Sequence, residues 1–268
     1  MSKEFIKNRN DKKICVVVEQ PEGKPKGPAF AKASAGKLAF VMHGLGGFKE
    51  QPHIRAMIES FLENGYTAVS FDATHTFGES EGKYEDATTT NYLEDLEDVI
   101  NWSESQSFYT EPFCLAGHSL GAFAVALYTE KYPNKVKALA PISTVVSGKL
   151  SAEASSERGL LEEWKRTGWL SKPSESIPGL IKKLKWTEME DRLKYDILPE
   201  ANKLTMPVLL IVGDLDKGTP FDHQKMFYDK LSGKKDLHVI KESPHTFRQP
   251  QHLKKLKDIF VKWIKSLI

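Results

Sequence analysis

Phe113-Cys114-Leu115-Ala116-Gly117-His118-Ser119-Leu120-Gly121 continues into Ala122-Phe123-Ala124-Val125-Ala126-Leu127, and this stretch decides the fold. A short apolar run of strand length leads into a Gly-x-Ser-x-Gly pentapeptide, and small and apolar residues suited to a closely packed helix follow. The order is strand, sharp turn, helix. A serine at such a turn takes a strained backbone, so its hydroxyl projects at the carboxyl end of the strand while the N–H groups that follow face whatever binds there. Gly117 and Gly121 fit because side chains would collide where strand and helix cross. Standing alone, the pentapeptide is equally a glycine-flanked turn with an inert Ser119. A nucleophile would need a glycine-rich loop on an upstream strand, then an acid and a histidine downstream, in that order.

The upstream loop is present. Leu38-Ala39-Phe40-Val41-Met42 is a continuous apolar run, as expected of a strand buried on both faces of a parallel sheet, and it ends in His43-Gly44-Leu45-Gly46-Gly47. Glycines there let the backbone approach a ligand and aim N–H groups at it. The backbone N–H groups of Leu45 and Leu120 are the expected oxyanion-hole donors. Downstream, the apolar run Val208 to Val212 ends in Gly213-Asp214-Leu215-Asp216, so two aspartates are candidates for the acid. A last strand over Leu237 to Lys241 leads to Glu242-Ser243-Pro244-His245, which places His245 in a loop free to reach a neighbouring strand's tip. His75 precedes the serine in a turn-rich loop and is read as a loop residue; His238 within a strand and His252 at a helix start are read as structural.

Around these motifs strands alternate with helices. Lys3 to Arg9, Ile14 to Gln20, Tyr66 to Phe71 and Lys135 to Ser143 read as strands; Pro52 to Asn64, Asp86 to Ser107, Phe221 to Leu231 and the chain's last segment read as helices. Pro21 to Lys37 reads as an exposed connection. On the helix over Asp86 to Ser107, Glu94, Asp95, Glu97 and Asp98 are expected to form the solvated face rather than a metal site. The rhythm breaks at Val145. From there to about Thr205 the chain turns polar and reads as helical, with Ile177, Leu180, Ile181, Leu184 and Trp186 at helical spacing. The fold class is α/β, a mostly parallel central sheet flanked by helices, with residues 1–144 and 206–268 as core and 145–205 as a small helical cap insertion. Three of the five tryptophans, Trp164, Trp169 and Trp186, fall in the insertion and are candidates for lining a substrate pocket, or else are ordinary core.

Composition narrows the classes of function. The 268 residues suit one large domain, and a formal net charge of +2 with signs interspersed marks no nucleic-acid partner. Two distant cysteines, with no C-x-x-C and no H-E-x-x-H, suggest neither a disulfide framework nor a metal. No apolar leader and no run of 18 apolar residues is found, so a cytoplasmic protein without stable membrane association is expected. The basic amphipathic last helix is expected to pack on the sheet. Oligomeric state is not legible.

In order, the features are a glycine-rich loop, Ser119, an aspartate and His245. The chain resembles the α/β-hydrolase family over nearly its whole length. Its elbow Gly117-His118-Ser119-Leu120-Gly121, the loop His43 to Gly47 and the stretch Phe71 to Lys83 look most like small carboxylesterases, feruloyl and cinnamoyl esterases among them. The resemblance implies Asp216 as the acid, because the family places it three positions after the strand-closing glycine with a proline four beyond, here Gly213 and Pro220. Related esterases carry Arg-Gly-His-Gly before Glu-Ser, where this chain has Thr74-His75-Thr76-Phe77-Gly78. The implied activity is a serine carboxylesterase on small to medium esters with no cofactor. Thioester, amide or carbon–carbon bond hydrolysis is the alternative within the fold, and a non-catalytic small-molecule binder the alternative outside it.

Overall fold

The computed structural model describes residues 1–21, 37–174 and 177–267, and the connection expected over Pro21 to Lys37 lies, for 22–36, outside the described residues. Strands β1 (Ser2–Lys7), β2 (Lys13–Glu19), β3 (Leu38–Met42), β4 (Thr67–Phe71), β5 (Phe113–His118), β6 (Val136–Ile142), β9 (Val208–Gly213) and β10 (Lys235–Ile240) form one sheet in the order β1-β2-β4-β3-β5-β6-β9-β10. From β4 to β10 every neighbouring pair is parallel, while β1–β2 and β2–β4 are antiparallel. The expected α/β sheet is present.

Alternation along β3 shows how the sheet is covered. Leu38, Phe40 and Met42 join the core shared with α2 (Thr89–Ser103) and α3 (Leu120–Lys131), whereas Ala39 and Val41 face α1 (Pro52–Glu63) and α8 (Pro250–Lys265). Each fully buried Leu or Phe on these faces contributes about 2 kcal/mol. Helix α3 is buried nearly all round, which its Ala- and Gly-rich first half permits by letting the sheet come close. Helix α8 keeps Leu256, Phe260 and Trp263 inside, so its apolar face is covered by α1 and the sheet. Among the described residues no helix is long and apolar enough to cross a membrane.

Two readings are corrected. Helix α2 begins at Thr89 rather than Asp86, because Thr88 caps it, its Oγ1 accepting the Asn91 N–H at 3.1 Å. Its acidic run is not a solvated face: Asp95 is fully buried and Glu97 is 8% exposed. Asp95 accepts from Asn8 Nδ2 (2.8 Å), the Thr74 N–H (2.6 Å), Thr74 Oγ1 (2.8 Å) and Asn91 Nδ2 (3.0 Å). Burial pushes its carboxyl up to about 6 against those four donors.

The stretch 145–205, inserted between β6 and β9, is helical only in part. It holds α4 (Gly148–Glu157), α5 (Leu161–Thr167) and α6 (Thr187–Arg192), with an antiparallel hairpin of β7 (Trp169–Pro173) and β8 (Ile181–Lys185) between α5 and α6. The helical spacing read across Ile177, Ile181 and Leu184 is therefore strand and turn. Leu180 N–H reaches the Ile177 carbonyl at 3.3 Å across Pro178-Gly179, and Gly179 has φ +79°, the conformation a turn of this kind needs.

Candidate active site

Ser119 occupies the corner between β5 and α3 with φ 56° and ψ −117°, a strained conformation for a residue with a side chain. The corner is tight. A Cβ on Gly117 would stand 2.7 Å from the Gly121 carbonyl carbon, and one on Gly121 would stand 2.2 Å from the His43 carbonyl oxygen at the end of β3. Ser119 N–H donates to the Ile142 carbonyl (3.0 Å), which fixes the elbow to β6.

His245, in the loop after β10, brings its Nε2 to 2.9 Å from Ser119 Oγ and its Nδ1 to 2.7 Å from Asp216 Oδ2. Three side chains from three strand ends thus form one hydrogen-bonded chain. Asp216 is the aspartate in place; Asp214 points elsewhere, 3.7 Å from Lys241 Nζ. Burial alone would raise the Asp216 carboxyl, but the field and hydrogen bond of His245 and the donors of Thr219 outweigh it and hold the group well below the usual carboxylate range. Those donors are the Thr219 N–H (2.9 Å) and Oγ1 (2.8 Å), joined by the Gly218 N–H (2.9 Å). A permanently ionised Asp216 fixes Nδ1 of His245 as the protonated nitrogen and leaves Nε2 to accept from the serine hydroxyl.

Sequence reasoning did not single out Thr219 or His118 as supports. The spacing Asp216-x-x-Thr219 is that of a turn closed by an aspartate side chain, which is a signal available in the sequence. His118, buried in the elbow, donates from Nε2 to the His245 carbonyl at 2.8 Å and so ties the histidine loop to the residue next to Ser119. Burial and the neighbouring His245 push its imidazole down to about 3, so it stays neutral.

The glycine-rich loop lies beside the elbow. A Cβ on Gly44 would be 3.0 Å from Ser119 Cβ. The loop is held from behind: the Gly44 carbonyl accepts from Tyr92 Oη (3.1 Å) and the Gly47 N–H (2.9 Å). His43 accepts the Ala73 N–H on Nε2 at 3.0 Å, so its Nδ1 is the donor to the Gly44 carbonyl at 2.8 Å, and burial keeps the ring neutral. Leu45, together with Ser119 and Leu120, lines a cleft of about 450 Å³. Leu120 opens α3, so its N–H has no acceptor within the helix.

Of the three tryptophans in the insertion, Trp164 lines this cleft and Trp169 and Trp186 do not. Trp169 is 39% exposed on the hairpin with Lys185 Nζ 5.9 Å from its ring, and Trp186 packs edge-on against Trp164 at 5.6 Å. His75 and His238 are away from Ser119, Asp216 and His245; His75 is bonded within its own loop to Lys83. One group of metal-ligand type occurs among the described residues, Cys15, Asp72 and Glu79, and Lys49 Nζ already fills it at 2.7 Å from Asp72 and 2.9 Å from Glu79.

Known proteins resemble this chain in sequence and in fold. Residues 179–267 match a family described as PhoPQ-activated pathogenicity-related protein. A protein of Escherichia coli described as an uncharacterized 31.7 kDa protein in the traX-finO intergenic region is 25% identical over 262 residues, covering 87% of this chain and 88% of its own. Human protein ABHD12B is 26% identical over 199 residues, of which the match spans 49% of its length and 72% of this chain. Among solved structures, Est1E of Butyrivibrio proteoclasticus with ferulic acid bound superposes with a TM-score of 0.76 at 22% identity over 98% of each chain. Mouse alpha/beta hydrolase domain-containing protein 10 superposes with a TM-score of 0.77 at 18% identity over the whole of both. The fold is thus that of the α/β hydrolases. Residues 17–177 match the family described as X-Pro dipeptidyl-peptidase (S15 family), and with more than half of its length in that match the chain belongs to this family of α/β hydrolases.

Proposed function

We propose that this α/β hydrolase is a serine carboxylesterase that cleaves small to medium carboxylic esters through an acyl-enzyme on Ser119. The observation that carries the reading is the chain of contacts from Asp216 through His245 to Ser119 Oγ, 2.7 and 2.9 Å long. In this reading His245 Nε2 takes the hydroxyl proton as Oγ attacks the ester carbonyl, and Asp216 stabilises the imidazolium that forms. The carbonyl oxygen, now an anion, is met by the N–H groups of Leu45 and Leu120, each such donor lowering the barrier by about 3 kcal/mol. His245 then returns the proton to the departing alcohol, and water enters by the same base to free the acid. The residues supply every proton transfer themselves.

The family's description favours a second reading, amide hydrolysis, which the same three residues could perform. A fluorophosphonate probe followed by peptide mapping tests the nucleophile, and adduct on Ser119 that is lost in Ser119→Ala is the expected result. The kcat/KM for short-chain 4-nitrophenyl esters against that for X-Pro 4-nitroanilides separates the two readings. Labelling elsewhere, or none, would refute the mechanism; faster anilide than ester cleavage would favour the peptidase.

A further inference from the structure

The cleft beside Ser119 has walls of one sign. Apart from its histidines, the ionisable side chains that can carry charge at neutral pH on its lining are Arg158, Lys172, Lys182, Arg192, Lys217 and Arg248; no aspartate or glutamate lines it among the described residues. In a chain with 38 basic and 36 acidic residues, such a segregation does not follow from composition. Some of these cations are balanced from behind. Arg192 is paired with the buried Glu188 at 2.6 Å and donates to Ser151 Oγ at 2.7 Å. Lys182 donates to the Gly46 carbonyl at 3.2 Å, over the rings of Phe77 and Tyr84.

Arg158 is different. It follows α4, and its guanidinium makes no ion pair among the described residues: Nε donates to the Ala154 carbonyl at 2.9 Å and Nη2 to Ser155 Oγ at 3.2 Å. Its Nη1 stands 3.9 Å from where a Cβ on Gly218 would be, in the loop whose N–H groups hold Asp216. Asp216 is already engaged by His245 and Thr219. Arg158 is exposed, so a ligand can reach its guanidinium; desolvation lowers its pKa, the Asp216 carboxylate opposes that fall and Arg192 adds to it. Lys217, exposed at the same rim, makes no ion pair among the described residues either. The same lining also has an apolar set, Leu45, Val145, Trp164 and Leu184.

Resting on the esterase reading above, we infer that the preferred substrates are anionic esters: an apolar segment next to the scissile bond and, beyond it, a carboxylate or phosphate received by Arg158 and Lys217. A planar guanidinium offers paired N–H donors that match either oxyanion, and the surrounding field draws anions into the cleft. The same field repels the protonated amino terminus of a peptide, which sets this cleft apart from one made for aminoacyl substrates.

The test uses three 4-nitrophenyl esters of matched chain length: the hydrogen adipate, its neutral methyl ester, and a 6-trimethylammoniohexanoate. The expected order of kcat/KM is anionic, neutral, cationic, with the anionic ester ahead of the neutral one by about tenfold at low ionic strength, chiefly through KM. That lead should shrink to about threefold or less in 0.5 M salt, because the rim is open to solvent. Arg158→Glu and Lys217→Glu should each reverse the order of the charged pair. Free adipate and inorganic phosphate, tried as competitive inhibitors, tell a carboxylate site from a phosphate site. Equal rates for the three esters in the wild-type protein, or an unchanged ratio in Arg158→Glu, would overturn the inference while leaving the esterase intact. If no ester is turned over, the esterase reading falls, and the site is decided by thermal shift: adipate or phosphate raising the melting temperature of the wild type but not of Arg158→Glu supports it, and no shift in either overturns it.

Discussion

On the core wall of the cleft the polar groups that support Ser119 and the half-buried His245 are buried and held by several partners each, whereas on the hairpin wall side chains alternate between solvent and cleft. Asp216 receives three donors besides His245, and His43 and His118 each join two segments of chain. Across the cleft, β7 is exposed or half-exposed throughout and Ile181 of β8 is 52% exposed; the hairpin sends Leu184 into the core, and its other ties are Lys185 against Asp86 and Lys182 against Gly46. A site that must hold atoms to within a fraction of an ångström is built from buried, multiply bonded groups. A wall that only chooses among substrates can be built from surface contacts, each worth little, and can change without disturbing the other.

Substitutions can break that contrast. Asp216→Asn should cost most, a fall in kcat of about 10⁴-fold with little change in KM, because an amide steers His245 into the wrong tautomer; initial rates on one ester suffice. A fall below about tenfold would mean that Asp216 does not orient the base. Gly121→Ala comes next. Its Cβ would stand 2.2 Å from the His43 carbonyl, so elbow and β3 must part, with a loss of about 100-fold in kcat/KM and a melting temperature lower by several degrees.

Glu130, in the last turn of α3, tests the core's tolerance for a charge. Among the described residues its Oε1 is buried without a hydrogen-bond partner, and burial, helped by Asp196, pushes its carboxyl up to about 8. A carboxyl raised above its unfolded value near 4.5 favours folding fully below that value, and the contribution is lost as pH rises through about 8. Glu130→Gln should therefore add about 2 kcal/mol at pH 9 and almost nothing at pH 4, less than the full linkage because the carboxyl still meets solvent. Denaturant melts at the two pH values read the difference. The smallest effect is expected on the hairpin wall: Lys185→Ala should move KM by about threefold or less and leave kcat alone. A tenfold loss of kcat there would show that the hairpin is part of the catalytic frame.

The same contrast explains what could be read from the residues. The elbow, the loop at His43 and the strand before Asp216 are local patterns, an apolar run followed by glycines, and each keeps its meaning whatever packs around it. Choosing Asp216 over Asp214 needed the family resemblance, since both sit at the tip of β9. The hairpin was not legible as such, because Leu180, Ile181 and Leu184 satisfy a helical period as well as they occupy a turn and a strand. Only the hydrogen bonds from β7, a dozen residues away, decide between them. Pro178-Gly179 was the one local hint of a turn. Trp169 failed as a cleft residue for the same reason: which face of a short strand a ring takes is set by its partner strand; Trp186, just past β8, turns against Trp164 instead. Asp95 was misread because what buries it lies elsewhere: its donors come from Asn8 and Thr74, far along the chain, while its neighbours Glu94 and Asp98 are only partly buried.

That buried carboxylate has a reach beyond its helix. Asn8 belongs to the turn between the two antiparallel strands at the sheet's outer margin, and Thr74 opens the loop whose Phe77 stacks at 4.7 Å on Tyr84, a residue of the cleft wall. The far border of the sheet is in this way moored to the substrate's doorstep, so trimming the first ten residues would slacken the entrance while leaving the elbow standing.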